Sequence, residues 1–487
     1  MNEDLKDKTI KNIGYNTLAK IIALLFQAAA NIILSRNLSS SDYGIVGFGL
    51  IFISFLNQFN DVGISSAVVQ RRELDEKGLY TAFSVKTLLG FSLFIITFII
   101  APLAPYFFDN SAVTNVIRLL ALNFLINIFA FLPSSLLTRE LNYKKISLAH
   151  ICSTIINSSM AIILVLNGFG YWSLVLANLI APIVLALGLN ILRPVKIGMA
   201  FDRTIAKEFM HYGWKLFATG IVIFTIFNAD NFIVGSVKGS GMLGYYMIAF
   251  NWGSMVCVLL FSIVLSVLFP TFSKIQGNRE KLKASYLKTL EYVSIIAILI
   301  NMTLFVTARE FLIYVLGRGS DKWLPALTCL KILCIYGIGR ALLEPIGSVI
   351  MAVGKTELLL KSNVIAAALE ILFIYPSIKY YGIEGAAVVV TLAYGSQYFI
   401  YFSFLRDELG IKKAELIRAI APSISAISVI LAVYFGCEYY FGFNNTIGLF
   451  VLKLTMSFIG YFIFHGVVTK WKLIKEARDM IKDMRAI

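Results

Sequence analysis

The chain has 487 residues, 58% of them hydrophobic and only 15% charged, with a formal net charge of +15. No water-soluble globule of this length carries so few charges against so much apolar side chain. Mean hydropathy is +0.80, and the apolar residues gather in stretches of one recurring length.

In chain order those stretches lie near 15–35, 44–69, 81–101, 112–137, 146–166, 172–192, 212–234, 244–270, 288–307, 324–352, 358–378, 384–405, 415–436 and 446–469. Each is long enough to cross roughly 30 Å of hydrocarbon as a helix, and backbone polar groups left unpaired in lipid cost too much for any open alternative. The expected fold class is an all-α polytopic membrane protein with about 14 transmembrane helices.

Lys and Arg are retained on the cytoplasmic side of short loops. With a cytoplasmic N-terminus, 31 of the 43 basic residues fall on inner segments and six on outer ones, namely Arg36, Lys238, Arg309, Arg318, Lys322 and Lys379. The expected topology is therefore multi-pass with both termini in the cytoplasm. Because the basic residues are spread over eight short segments, the positive charge reflects topology and contact with anionic lipid, and no nucleic-acid partner is expected. The polar N-terminus leads into the first span without a small-residue cleavage site, so no removable signal peptide is expected.

Catalytic chemistry finds no support. Cys152, Cys257, Cys329, Cys334 and Cys437 lie in or at the ends of apolar stretches with no CxxC spacing, which predicts packed thiols and neither a disulfide framework nor a metal site. His150, His211 and His465 sit in unrelated spans or their margins, outside any HExxH, GxSxG, P-loop or DxD pattern. No catalytic residue is expected.

The two halves resemble one another at a register shift of about 200 residues. Gly14-Tyr15-Asn16-Thr17-Leu18 opens the first span and Gly213-Trp214-Lys215-Leu216 the seventh. The turns that follow read Ser39-Ser40-Ser41-Asp42-Tyr43-Gly44 and Gly239-Ser240-Gly241-Met242-Leu243-Gly244-Tyr245. Six spans per repeat predict an N-lobe over 1–200, a C-lobe over 201–405 in the same orientation, related by a pseudo-twofold axis along the membrane normal, and two further spans with a basic tail over 406–487. Lobes of that kind enclose a site at their interface and rock about it, which is a transporter's architecture.

Charged residues inside the spans carry the expected chemistry, because each costs roughly 2.5 kcal/mol or more at a helix centre unless it faces a wet cavity or a partner. Lys20, Gln27 and Asn31 form one stripe of the first span, and Lys215 shares a helical face with Asp230 in the seventh. Together with Lys86, Arg118 and Arg340 these predict a basic and amide-rich cavity suited to an anionic, hydroxyl-bearing cargo. The bland readings stand beside this one. Lys20, Lys215 and Lys453 lie near helix ends from which they can snorkel, Arg340 and Glu344 can neutralise each other at i, i+4, and Asp61, Asp230 and Glu370 can bond between helices. The same three acids are the candidates for binding a coupling ion.

The run Asn31-Ile-Ile-Leu-Ser-Arg36-Asn-Leu-Ser-Ser-Ser-Asp42-Tyr43-Gly44 resembles the segment joining the first two helices of bacterial polysaccharide flippases. Asp230-Asn231-Phe232-Ile233-Val234-Gly235, with Leu243-Gly244-Tyr245-Tyr246, is similar to the family's matching segment in the second half. Over about its first 405 residues the chain resembles the polysaccharide transporter branch of the multidrug/oligosaccharidyl-lipid/polysaccharide exporter superfamily, most of all its Wzx-like proteins for colanic or teichuronic acid units. The resemblance implies a bacterial cytoplasmic (inner) membrane protein that flips an undecaprenyl-diphosphate-linked oligosaccharide from inner to outer leaflet. It implies no cofactor other than a coupling proton or sodium ion, and a polysaccharide polymerase and glycosyltransferases as neighbours in the process. Arg36 matches the family's Arg and is carried over as a substrate contact or outer gate, against a turn-stabilising pairing with Asp42. The alternative within the superfamily is an ion-coupled exporter of drugs or other small molecules, for which an acidic or aromatic cavity suits cationic cargo.

Overall fold

In a computed structural model the described residues are 22–61, 63–71, 75–108, 110–263, 268–441 and 446–471; they contain helices and no strand. Among them, eleven helices are long and apolar enough to cross a membrane. The sequence reading of about fourteen spans and this count of eleven differ in part because two of the helices are double. Helix α10 (Arg203–Ile263) is interrupted at Gly239, with φ 80° and ψ −179°, and α15 (Thr356–Leu409) at Gly382, with φ 65° and ψ −145°. These left-handed backbone angles favour glycine, so one residue reverses each chain.

The chain divides into two compact units, Met1–Met247 with Glu370–Ala386, and Ile248–Leu369 with Ala387–Ile487. The first contains α1 (22–37), α2 (Ser40–Asp61), α3 (Ile64–Gln70), α4 (Glu76–Ile100), α5 (Ala104–Phe108), α6 (Ala112–Leu120), α7 (Leu122–Arg139), α8 (Tyr143–Leu166), α9 (Trp172–Leu192), the early part of α10 and the middle of α15. The helices start where side chains satisfy otherwise orphaned N–H groups: Asp75 accepts from Gly78 N at 2.9 Å at the start of α4, and Asn142 from Lys145 N at 3.4 Å at the start of α8. Gly63, with φ 71°, separates α2 from α3. Pro133 inside α7 withholds an N–H from the Phe129 carbonyl one turn earlier, and Asn190 of α9 donates to that carbonyl at 2.9 Å. The core here joins Ile64, Val68, Phe83, Phe131 and Phe209. Outside the apolar band, Lys77 and Asp202 pair at 2.7 Å. The Lys77 ammonium, with N–H donors from Ile205 and Thr204, holds the Asp202 carboxyl down to about 2.

The second unit holds the rest of α10 and α15 with α11 (Phe269–Ile275), α12 (Arg279–Val306), α13 (Ala308–Glu310), α14 (Leu327–Ala352), α16 (Lys413–Ser425), α17 (Ile427–Phe441) and α18 (Ile447–Val468). Asn278 and Thr446 cap α12 and α18 by accepting from Lys281 N and Leu449 N. Helix α12 is the hub, packing on α14, α16 and α17, and one cluster gathers Phe272, Tyr286, Val349, Tyr401 and Phe404. Large apolar side chains also face outward, Ile99 at 69% and Phe399 at 81% exposure among them. Such surfaces need hydrocarbon around them.

Candidate functional site

In the first unit, α2 and the second limb of α10 meet at their repeat-related starts. A Cβ added to Gly44 would stand 1.9 Å from the Ser240 carbonyl oxygen, and one added to Gly244 would stand 1.8 Å from that of Ser40. The contact is reciprocal, residue for residue, across the 200-residue shift, as a local two-fold requires. Ser41 and Ser240 hydroxyls complete it at 2.9 Å. Small residues at such crossings let two helix backbones approach closely in lipid.

Just before this contact on α10 lies Asp230, buried at 2% exposure. Its carboxylate accepts from the Tyr246 hydroxyl at 2.6 Å, the Asn231 N–H at 2.7 Å and the Asn231 side-chain amide at 3.0 Å. Glu370 of α15, equally buried, interacts electrostatically with Asp230, and its Oε2 has no hydrogen-bond partner among the described residues. Two acids from distant segments, read separately in the sequence, thus act on one another in a dry place. The sequence reading names Asn231 and Tyr246 only within the family motif and not as partners of Asp230; Tyr246 lies on the far limb of the α10 hairpin, which no within-helix spacing connects to Asp230.

The basic candidates separate into different environments. Lys86 is buried in α4, donates to the Asn60 carbonyl at 2.7 Å, and lies 5.7 Å from the Phe131 ring centroid. Its ammonium therefore serves the last turn of α2, where the break at Gly63 frees carbonyls. Arg118 of α6 stacks its guanidinium 4.7 Å from the Phe98 centroid, with Nε buried and without a hydrogen-bond partner among the described residues. Gln27 and Arg36 are exposed on α1, with Asn31 half-buried, and Asp42 accepts from the Ser39 N–H and hydroxyl at 2.8 and 2.7 Å. Lys20 lies outside the described residues, as do the side chains of Lys215 and Asp61.

In the second unit, Arg340 sits among Tyr336, whose hydroxyl it reaches at 2.6 Å, Tyr394, whose ring centroid is 5.0 Å away, and Glu344 at 3.7 Å. This is the neutralising i, i+4 arrangement with an aromatic enclosure added.

Lys453 requires a correction to the snorkelling reading. It is 1% exposed, its Nζ pairs with Glu310 at 2.8 Å and with Glu438, and the Tyr434 ring lies 4.4 Å away. Two carboxylates on separate elements hold it in place, and snorkelling to water is not what positions it. Cys152 also departs from expectation, being exposed, whereas the other four thiols are buried. Among the described residues no group of three or more His, Cys, Asp or Glu is arranged to hold a metal ion.

Helices of membrane-spanning length that bury a pair of acids and several cations define a polytopic helical membrane protein. The chain belongs to the family described as polysaccharide biosynthesis protein, which it matches over residues 33–328. It is 25% identical over 399 residues to "Lipopolysaccharide biosynthesis protein WzxC" of Escherichia coli (strain K12), covering 80% of this chain and 78% of that protein. It is also 25% identical over 311 residues to "Teichuronic acid biosynthesis protein TuaB" of Bacillus subtilis (strain 168), covering 61% of this chain and 62% of that one. Among solved structures, "Lipid II flippase MurJ, inward closed conformation" superposes with a TM-score of 0.77 at 16% identity, over 94% of this chain and 99% of that chain. At that identity the likeness is one of fold. By family and fold the chain is a multi-pass membrane transport protein and not an enzyme.

Proposed function

We infer that the protein is a lipid-linked oligosaccharide flippase, which moves undecaprenyl-diphosphate-linked glycan repeat units from the inner to the outer leaflet for polysaccharide assembly. The observation that carries this reading is the family match combined with likeness to a lipopolysaccharide biosynthesis protein over most of the chain. The physical problem suits it: a pyrophosphate and hydrated sugars must cross hydrocarbon while the polyprenyl tail stays in lipid. Lys20, Lys86, Arg118, Lys215 and Arg340 are the cations assigned to that task, with Gln27, Asn31 and Arg36 on α1. The protein resides in the bacterial cytoplasmic membrane with fourteen spans and both termini inside. It works by alternating access between an N-lobe and a C-lobe, and hands its product to a polymerase.

Deleting the gene in its host tests the reading. Loss of surface polysaccharide with accumulation of lipid-linked repeat units in the inner leaflet is the expected result. Unchanged glycan with increased drug susceptibility would favour the exporter alternative, to which a likeness of fold to a multidrug transporter, at a TM-score of 0.63, also points.

Coupling is assigned to Asp230 and Glu370, with a proton or sodium ion as the coupling ion and Asp61 as the remaining candidate. A buried acid pair drives a cycle only if it binds the cation more tightly in one conformation than in the other. Replacing Asp230 with Asn keeps the shape and removes the charge. Export is expected to fall by about 5–150-fold, the range of typical coupling free energies, and to lose its dependence on the ion gradient. Gradient-dependent export at the normal rate in this variant would remove Asp230 from the mechanism.

A further inference from the structure

The break between α2 and α3 opens a cavity in the first unit that neither the family match nor the acid pair accounts for. Its volume is 480 Å³, within the roughly 300–1,000 Å³ of small-molecule sites. Helix α7 supplies Asn127, Phe131, Ser134, Ser135 and Thr138 to its wall. At 100° per residue these positions fall within about 100° of arc, so they form one stripe of an otherwise apolar span. Helix α3 contributes Ser65, Ser66 and Gln70 from the other side, and Lys86 completes the lining.

The chemistry of the lining selects a ligand. It contains hydroxyls and amides, which both donate and accept, and no carboxylate. That set matches a ring bearing several hydroxyls and repels neither a neutral nor an acidic sugar. The Phe131 ring offers an apolar wall for the carbon face of such a ring. Lys86 is the pocket's cation, and its ammonium already donates to the Asn60 carbonyl. A pyrophosphate needs more free positive charge than this. Polar side chains in a membrane span are costly, and seven line this cavity from α7 and α3, with Ser135 itself only 4% exposed.

We propose that this cavity is a sugar-binding subsite, which holds one monosaccharide ring of the lipid-linked glycan through Gln70, Asn127, Ser134 and Ser135. The proposal rests on the reading of the chain as a glycan flippase. It adds that glycan recognition occurs inside the first unit, on a stripe of hydroxyls and amides beside Lys86, the one cation assigned to the pyrophosphate that lines this cavity.

Purified full-length protein would be titrated with two probes: lipid-linked oligosaccharide extracted from the gene-deleted host, and sugar-free undecaprenyl diphosphate. Wild type is expected to bind the glycosylated lipid more tightly. Asn127→Leu and Ser135→Val are expected to lose that preference by about tenfold each, the scale of one or two unmade hydrogen bonds, while binding sugar-free lipid as wild type does. Retained sugar-free affinity also shows that the variants are folded. As a second route, the thiol introduced by Ser134→Cys in a Cys152→Ser background should be protected from a thiol reagent by the glycosylated lipid and not by the sugar-free one. Variants that keep the full preference, or equal labelling of the introduced thiol with both lipids, would overturn the subsite. A wild type that binds neither lipid, in a host whose glycan export survives deletion, would instead overturn the flippase reading.

Discussion

Replacing Lys453 with Met is expected to destabilise the protein by about 3–5 kcal/mol, the cost of leaving a buried ionic partner uncompensated. Among the described residues the lysine is the one ion-pair partner of both Glu310 and Glu438. Among the described residues each acid also has an Oε2 that is buried without a hydrogen-bond partner. Thermal unfolding of the purified protein in detergent measures the loss. Combining Lys453→Met with Glu310→Gln and Glu438→Gln removes all three charges at once, and should recover most of the stability, because neutral groups of similar size escape the desolvation penalty. A single variant as stable as wild type would mean that the cluster contributes nothing.

The second large effect is expected at the reciprocal contact between α2 and α10. A methyl group at Gly44 or Gly244 would sit less than 2 Å from a backbone carbonyl oxygen, and a carbonyl in a helix cannot rotate away as a side chain does. The two helices must separate. Overpacking of this kind costs about 1–3 kcal/mol, so the close arrangement should lose roughly tenfold or more in population. Cysteines at Ser41 and Ser240, whose hydroxyls are 2.9 Å apart, should form a disulfide readily in the parent protein and poorly in the Gly44→Ala or Gly244→Ala background. In the proposed topology this contact lies at the outer end of both helices, so the same variants should impair export. Undiminished cross-linking would show that the helices absorb the methyl without separating.

What was legible in the sequence follows from the range of the rules that read it. Spans were legible because hydropathy is a local sum, and the repeat because Gly44 and Gly244 stand 200 residues apart within matching turns. The Arg340 and Glu344 pairing was legible because i, i+4 is a property of one helix. The Lys453 cluster was not: Glu310 and Glu438 lie at span margins that read as loops, and only tertiary folding brings them to a lysine 143 and 15 residues away. Lys86 was conspicuous as an embedded charge, but its partner is a backbone carbonyl freed by the kink at Gly63, and side-chain chemistry alone does not announce a broken helix. The α7 polar stripe had the right period to be seen. Its significance depends on α3 folding across it.

The single-glycine reversals at Gly239 and Gly382 have a practical bearing on how this protein can be handled. A reporter enzyme or epitope tag needs slack chain at both of its ends, and a reversal confined to one residue offers none. Fusions at those two points should abolish expression. The Gly168-Phe169-Gly170 turn between α8 and α9 is different, since residues 167–171 all lie between the two helices and spread the reversal over several positions. That turn is the place to insert a tag, and a tolerated fusion there would serve as the reference marker for deciding which side of the membrane every other loop occupies.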